Sequence, residues 1–372
     1  MNSLGFNKEA KDTTIVVAMS GGVDSSVVAC MLKEQGYNVI GITLQLYDHG
    51  EAIQKKNACC AGQDIDDARF VAGLMDFPHY VLDYETLFKQ KVIDEFADSY
   101  IRGQTPIPCI KCNQTVKFED LLTTAVELGA DCLATGHYIQ RKDGKIKSEM
   151  HRGFDTTKDQ SYFLFTTTEK QLDFLRFPLG HMEKTETRQL AHKYGLKIAD
   201  KPDSQDICFV PNGGYADLVK KLRPESIISG NIVDIDGNVI GQHNGIINYT
   251  IGQRKGIGIG GRKDSTEPLY VIELRPEQKE VVVGERKHLG KQTITVLDIN
   301  WIGDDEIDYN PKEVDIKIRS VMKPVKGLVY KKGNHILVEF IEPEFGISPG
   351  QACVFYNNNR MLGGGWISDT NV

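Results

Sequence analysis

The sequence predicts an α/β fold: a parallel sheet flanked by helices, followed by small all-β domains. "TIVVAM" (14–19) is strand-like, and Val23, Val27, Val28, Met31 and Leu32 then recur at helical spacing. The two periods keep alternating to about residue 222, and strands separated by helices imply a parallel sheet covered on both faces. Beyond that point short alternating strands take over and long helical periodicity disappears.

After the first strand and helix, "NVIGITLQLY" (38–47) is the next strand. Asp64 to Met75 reads as a helix with Asp66 and Asp67 in its first turn, where the helix dipole favours carboxylates. "HYVLDY" (79–84) is a strand, helical patterns follow at about 87–102 and 114–128, and "DCLATGHYI" (131–139) is another strand. In the tail, turn signals stand at "DIDGN" (234–238), "IGGRKDS" (259–265) and "KKGN" (331–334). The change of pattern divides the chain into an α/β domain over 1–221, a small β-rich domain over 222–286 and a β-barrel-like domain over 287–372.

With 372 residues the chain has ample length for such a division. A net charge of −7 does not favour nucleic-acid binding, although a basic footprint can be local. One candidate is "GQRKGIGIGGRK" (252–263), where Arg254, Lys255, Arg262 and Lys263 have no acidic neighbour; it reads as a solvated hairpin or as a phosphate contact. No apolar run approaches the roughly 18–20 residues that span a bilayer, and the first residues are polar, so no membrane and a cytoplasmic location are expected. Eight cysteines in such a chain are unlikely disulfide staples; clustered ones point to metal ligands or reactive thiols. Cys30, Cys132 and Cys353 lie in apolar runs and read as core.

"AMSGGVDSSV" (18–27) places a glycine turn between strand and helix, where backbone N–H groups and a positive helix end meet an anion. Gly21 and Gly22 allow the tight turn, Ser20, Ser25 and Ser26 add donors, and Asp24 could hold magnesium. No lysine follows the glycines, so this is no Walker loop, and the spacing is not that of a dinucleotide fold. The loop resembles the pyrophosphate loop of the ATP pyrophosphatase (PP-loop) superfamily, which implies a nucleotide-binding, Rossmann-like domain that splits ATP between its α- and β-phosphates.

The cysteines narrow the resemblance. "TPIPCIKCNQTVKF" carries Cys109 and Cys112, and "KPDSQDICFV" carries Cys208. Together with "LATGHY", "KDQSYFL", "YTIGQRKGIGIGG" and "PGQACVFY", in order from residue 14 to about 366, they resemble the tRNA-specific 2-thiouridylase family. The resemblance implies adenylation of the position-2 oxygen of the wobble uridine of tRNA, then replacement of that oxygen by sulfur with loss of AMP. It makes Cys112 the nucleophile and Cys208 the persulfide carrier, joined as a disulfide after turnover, with sulfur from a relay protein or cysteine desulfurase. Lys111 and Lys117 flank Cys112, which suits a thiol that must ionise.

The same resemblance implies an ATP site, with Mg2+, at Ala18, Met19, Ser20, Gly21, Gly22, Val23, Asp24, Ser25, Leu44 and Gly136. It implies tRNA contacts at Ile107, Pro108, Cys109, His137, Lys158, Asp159, Gln160, Arg319 and Gln351. Many family members carry aspartate where Cys109 stands. The substitution gives three thiols at 109, 112 and 208, so an iron–sulfur cluster is an alternative to the persulfide route. A zinc site joining Cys59 and Cys60 to Cys109 and Cys112 is a further reading, against which stands that adjacent cysteines are awkward ligands. The rival functions are another PP-loop adenylating enzyme, such as an amidotransferase, and a non-catalytic ATP- or RNA-binding module.

Overall fold

The computed structural model describes residues 1–46, 60–203, 206–210, 214–259 and 267–368. Cys59, Arg262, Lys263 and most of the turn at 259–265 lie outside them.

The N-terminal sheet contains β1 (Thr14–Ala18), β2 (Asn38–Gln45), β3 (His79–Asp83), β4 (Cys132–Ala134) and the short β7 (Leu175–Arg176). All its pairs are parallel and the order is β3-β2-β1-β4-β7, so β1 is central. Ile15, Val16 and Val17 are fully buried because both faces are covered. On one face Val27 and Val28 of α1 (Val23–Glu34) pack with Ala68 and Val71 of helix Cys60–Met75 and Ala191 of helix Lys184–Lys193. On the other, Val16, Ile42 and Leu133 meet Ile110, Phe118, Leu121 and Tyr162. Each such side chain removed from water contributes about 1.5–3 kcal/mol, which fixes the sheet and therefore the loop at its end.

Three expectations change. The helix expected from Asp64 begins at Cys60, which moves Asp66 and Asp67 out of the first turn. The run at 114–128 is continuous with the cysteine segment: Cys112–Leu121 winds as a π-helix before Leu122–Glu127 resumes the α form. "DCLATGHYI" is not one strand. β4 ends at Ala134, the chain bends through Gly136, and β5 (Ile139–Asp143) starts a hairpin with β6 (Ser148–Arg152) that belongs to another sheet.

The tail forms two sheets. β8 (Gly230–Val233), β9 (Val239–His243), β10 (Tyr270–Arg275) and β11 (Glu280–Gly284) assemble in the order β10-β11-β8-β9 around Ile232, Val271, Val281 and Val283. The strands β12 (Gly290–Trp301), β13 (Lys312–Lys317), β14 (Val325–Lys332), β15 (His335–Phe345), β16 (Ala352–Asn357) and β17 (Arg360–Ile367) form the larger sheet. There β12 pairs with both β15 and β17, which curls the sheet back on itself. The β5–β6 hairpin extends it from β17, with Met361 opposite Met150. The segment that carries the parallel sheet and the tail are therefore stitched together, and Ala352, Val354 and Tyr356 share one core with Val16 and Ile42.

Candidate active site

The chain leaves β1 at Ala18 and enters α1 at Val23, with Gly21 at φ +70°. Gly22 is the N-cap and supplies no side-chain bond, so the first amides of α1 are not capped from within. Inside the turn Ser20 N–H donates to Ser25 Oγ (3.1 Å), and Ser25 Oγ–H donates to the Gly22 carbonyl (3.3 Å). Gly136 lies against it: a Cβ there would come within 2.9 Å of Ser25 N and 3.0 Å of Asp24 Cβ. Leu44, half-buried, sits near the end of β2. The residues expected to hold ATP thus converge at the carboxyl end of the parallel strands, where open α/β sheets bind ligands.

Two lysines reach the loop from far along the chain. Lys184 Nζ donates to both carboxylate oxygens of Asp24 (2.7 and 2.8 Å) and lies 2.9 Å from Asp203. Tyr138 Oη also donates to Asp24 (2.8 Å). The Asp24 carboxylate, expected as a magnesium ligand, is already neutralised. Asp203 also accepts from Lys158 (2.7 Å) and Arg188 (3.1 Å); burial opposes its charge, but the Lys158 and Lys184 ammoniums outweigh it and bring its pKa to about 2. Lys201 Nζ donates to the Gly21 carbonyl (3.1 Å), to Asp64 (2.6 Å) and to Asp67 (2.9 Å). Burial disfavours its ammonium, yet the two carboxylates raise its pKa overall.

The thiols lie on the helical turn Pro108–Lys111 and its π-helical continuation. Cys109 is exposed and Cys112 is 8% exposed. Burial raises the Cys112 thiol above its ordinary value, and the Lys117 ammonium opposes this without cancelling it. The Cys109 thiol is raised as well, chiefly by desolvation from its neighbours, although the residue is exposed at the surface. The positive surroundings expected for Cys112 are thus only half present. Lys117 faces it and donates to Asn113 Oδ1 (3.0 Å), whereas Lys111 lies over the Trp366 ring at 5.0 Å. Cys112 packs in one apolar cluster with Phe88, Phe96, Phe209 and Val210, with Ile207, Leu44 and Leu46 against it. The two residues after Cys208 are therefore in the same core as Cys112, while Cys208 itself is exposed. Among the described residues no three His, Cys, Asp or Glu side chains gather as a metal-holding group. Among the described residues Cys109, Cys112 and Cys208 are not gathered into such a group.

The residues expected to meet tRNA divide into three groups. Ile107 and Pro108 line a cavity of about 520 Å³ with Lys111, Ile251, Leu274 and Trp366, where the helical segment before the cysteines meets the two sheets of the tail. Arg319 and Gln351 line a second, of about 350 Å³, with Arg286 and Phe345. Gln351 Nε2 also donates to the Thr105 carbonyl (2.8 Å) and so positions the cysteine loop. The third group is half-buried and paired within the protein. His137 accepts or donates at Nδ1 with Thr135 Oγ1 (2.8 Å), and burial drives its pKa down to about 3, so it is neutral. Lys158 pairs with Asp203, Asp159 with Arg152 (2.8 Å), and Gln160 Oε1 accepts from Tyr138 N–H (2.9 Å). Arg254 and Lys255 are exposed in irregular chain rather than on a hairpin strand. The sequence reading missed Lys184, Lys201, Tyr138 and Asp203. The absent loop lysine was the available signal, because it required a cation from elsewhere.

Family models cover nearly the whole chain: "tRNA methyl transferase HUP domain" over 13–212, "tRNA methyl transferase PRC-barrel domain" over 216–285 and "Aminomethyltransferase beta-barrel domain" over 291–367. A tRNA-specific 2-thiouridylase of Jannaschia sp. (strain CCS1) is 60% identical over 99% of this chain and 97% of its own length. The chain belongs to the tRNA-specific 2-thiouridylase family. Another member, from Paracoccus denitrificans, is 59% identical over 99% of this chain and 95% of its own. Solved structures are more distant. An NMN synthetase from Francisella tularensis matches at 15% identity and TM-score 0.34, covering 57% of this chain and 77% of that one. A 4-thiouridine synthetase–RNA complex with bound ATP matches at 15% and 0.36, covering 57% and 51%.

Proposed function

We propose that this 2-thiouridylase family member inserts sulfur at position 2 of the wobble uridine of tRNA, at the expense of ATP. The observation that carries the reading is the single apolar cluster that joins Cys112 to the residues after Cys208, with Leu44 of the loop-bearing sheet packed against it. This cluster supports a site shared by the glycine turn and the two thiols. ATP, with Mg2+ as part of that substrate, occupies the turn at 18–25 beside Leu44 and Gly136. The uridine O2 attacks the α-phosphate, and pyrophosphate leaves with the bridging electron pair. Amide-like oxygen is a poor leaving group, and as AMP it departs readily.

Sulfur comes from a persulfide on Cys208, loaded by a relay protein or cysteine desulfurase. Its terminal sulfur reaches C2 either directly or as sulfide after Cys112 attacks the Cys208 sulfur. Both routes break the S–S bond, expel AMP and leave a Cys112–Cys208 disulfide for a thiol reductant. Lys117 is the cation that favours the Cys112 thiolate when it is needed. Residues 1–221 carry this chemistry; 222–286 and 287–372 hold the tRNA, with Ile107, Pro108, Arg319 and Gln351 at the cavities between them. A wobble base must leave its stack to reach the thiols. The enzyme works in the cytoplasm. The test is incubation with ATP, a persulfide donor and tRNA, followed by nucleoside analysis for 2-thiouridine. Cys112→Ser and Cys208→Ser each abolish the product while tRNA binding persists; product from either variant overturns the assigned roles.

A further inference from the structure

The loop's own sequence offers a polyphosphate only amides and hydroxyls. A phosphate chain carries several negative charges, and its departure as pyrophosphate concentrates them on the leaving group. A cation at that point is worth more than further neutral donors. Lys184 is not available for this. Its side chain is 10% exposed, and its ammonium is committed to both oxygens of Asp24 and to Asp203.

Lys201 is placed differently. Its side chain is 31% exposed, and its ammonium rests on the rim of the turn, 3.1 Å from the Gly21 carbonyl. Its other two protons go to Asp64 and Asp67, a turn apart on helix Cys60–Met75. That helix lies directly against the loop: a Cβ on Gly21 would sit 2.1 Å from the Asp64 carbonyl oxygen. Two carboxylates beside an anion-binding turn repel a phosphate unless something answers them. Carboxylate oxygens on an ammonium are also the groups that phosphate oxygens replace most directly.

We infer that Lys201 is the pyrophosphate-binding cation of this site, held ready by Asp64 and Asp67 and handed to the β- and γ-phosphates when ATP enters. When the uridine oxygen bonds to the α-phosphorus, the α–β bridging oxygen takes the electron pair, and Lys201 neutralises charge developing on it. No proton changes hands in this step. The assignment rests on reading the turn as an ATP pyrophosphatase loop and is independent of the nucleophile that follows.

The test compares two probes on the full chain by calorimetry, AMP and inorganic pyrophosphate, the latter with a chelator so that no divalent cation bridges to the carboxylates. Lys201→Ala weakens pyrophosphate about tenfold or more, the size of one charge-assisted contact, and leaves AMP within about twofold. Lys201→Arg restores most of the loss. The Asp64→Asn, Asp67→Asn double variant binds pyrophosphate as tightly as wild type or tighter, because a competitor is removed. If Lys201 merely clips the helix to the loop, that double variant copies Lys201→Ala, and the proposal is overturned. Equal weakening of AMP and pyrophosphate in Lys201→Ala, or no weakening of either, also overturns it. Should Lys201→Ala not fold, Lys201→Arg and the double variant still decide. A wild-type chain that binds neither probe refutes the ATP reading and this proposal together. Absence of 2-thiouridine with the expected binding pattern refutes only the thiolation reading.

Discussion

Cys112, the proposed nucleophile, sits in surroundings that oppose its ionisation. Burial raises its thiol and Lys117 only partly compensates, so at neutral pH the resting side chain is protonated. Alkylation follows the thiolate, so its rate at Cys112 climbs with pH beyond the range in which an ordinary cysteine has levelled off. Peptide mapping after iodoacetamide should find exposed Cys109 labelled before Cys112, with the order lost in denaturant. Lys117→Met should slow alkylation of Cys112, because the ammonium that opposes burial is gone, without slowing the buried control Cys30. Equal labelling of Cys109 and Cys112 in the native protein would show that burial does not govern this thiol. At this scale the glycine turn with Asp24 was marked by local pattern, and Gly136 and both cysteines by the family resemblance. Lys184 and Lys201 were not, because each pairs with residues 134 to 180 positions away, and no local period encodes such a partner.

The cysteine loop is an element held from outside its own domain. Thr105 N–H donates to the Pro349 carbonyl (2.8 Å), Thr105 Oγ1 and Ser348 Oγ share a hydrogen bond (2.7 Å), and Gln351 donates to the Thr105 carbonyl. Gly350 completes the contact at φ +84°, where a Cβ would meet Gln104 Cβ at 3.0 Å and Thr105 N at 3.3 Å. Gly350→Ala therefore combines left-handed strain of about 1–2 kcal/mol with a push on the loop. The expected result is a thiolation kcat reduced by about tenfold or more through misplacement of Cys112, with ATP affinity unchanged because the glycine turn is untouched. Loss of ATP affinity in parallel would mean that the barrel supports the whole domain and not this loop in particular. The sequence marked Gln351 as a tRNA contact through resemblance alone; its hold on Thr105 depends on a sheet 246 residues away and was invisible to pattern. The π-helical winding after Cys112 was equally hidden, since its apolar residues sit at spacings that an α-helix also satisfies.

At the scale of the molecule the alternation of periods identified the parallel sheet and the β tail, but periodicity says nothing about which strand pairs with which. The hairpin of β5 and β6 shows the consequence. "RKDGKIK" carries an Asp-Gly turn signal, yet nothing local directs its outer edge to β17, more than 200 residues later. The pairing is reinforced inside: Tyr162 Oη donates to the Ala352 carbonyl (3.0 Å), Ser161 and Tyr356 hydroxyls are 3.0 Å apart, and Asn300 Nδ2 donates to the carbonyls of Phe165 and Thr167 (2.6 and 2.8 Å). A fragment ending at residue 286 would strip the strand edge of β6 and expose Met150, Leu164 and Phe165, all fully buried in the whole chain. Such a fragment should aggregate or be cut rapidly within 139–165 by a protease that spares the intact protein. Supplying residues 287–372 as a second chain should restore both solubility and protection, because the missing partners are strand pairs and core contacts rather than a covalent link. A soluble, protease-resistant 1–286 fragment would mean that the parallel sheet stabilises the hairpin unaided, and that the barrel serves the site only through the Thr105 contacts.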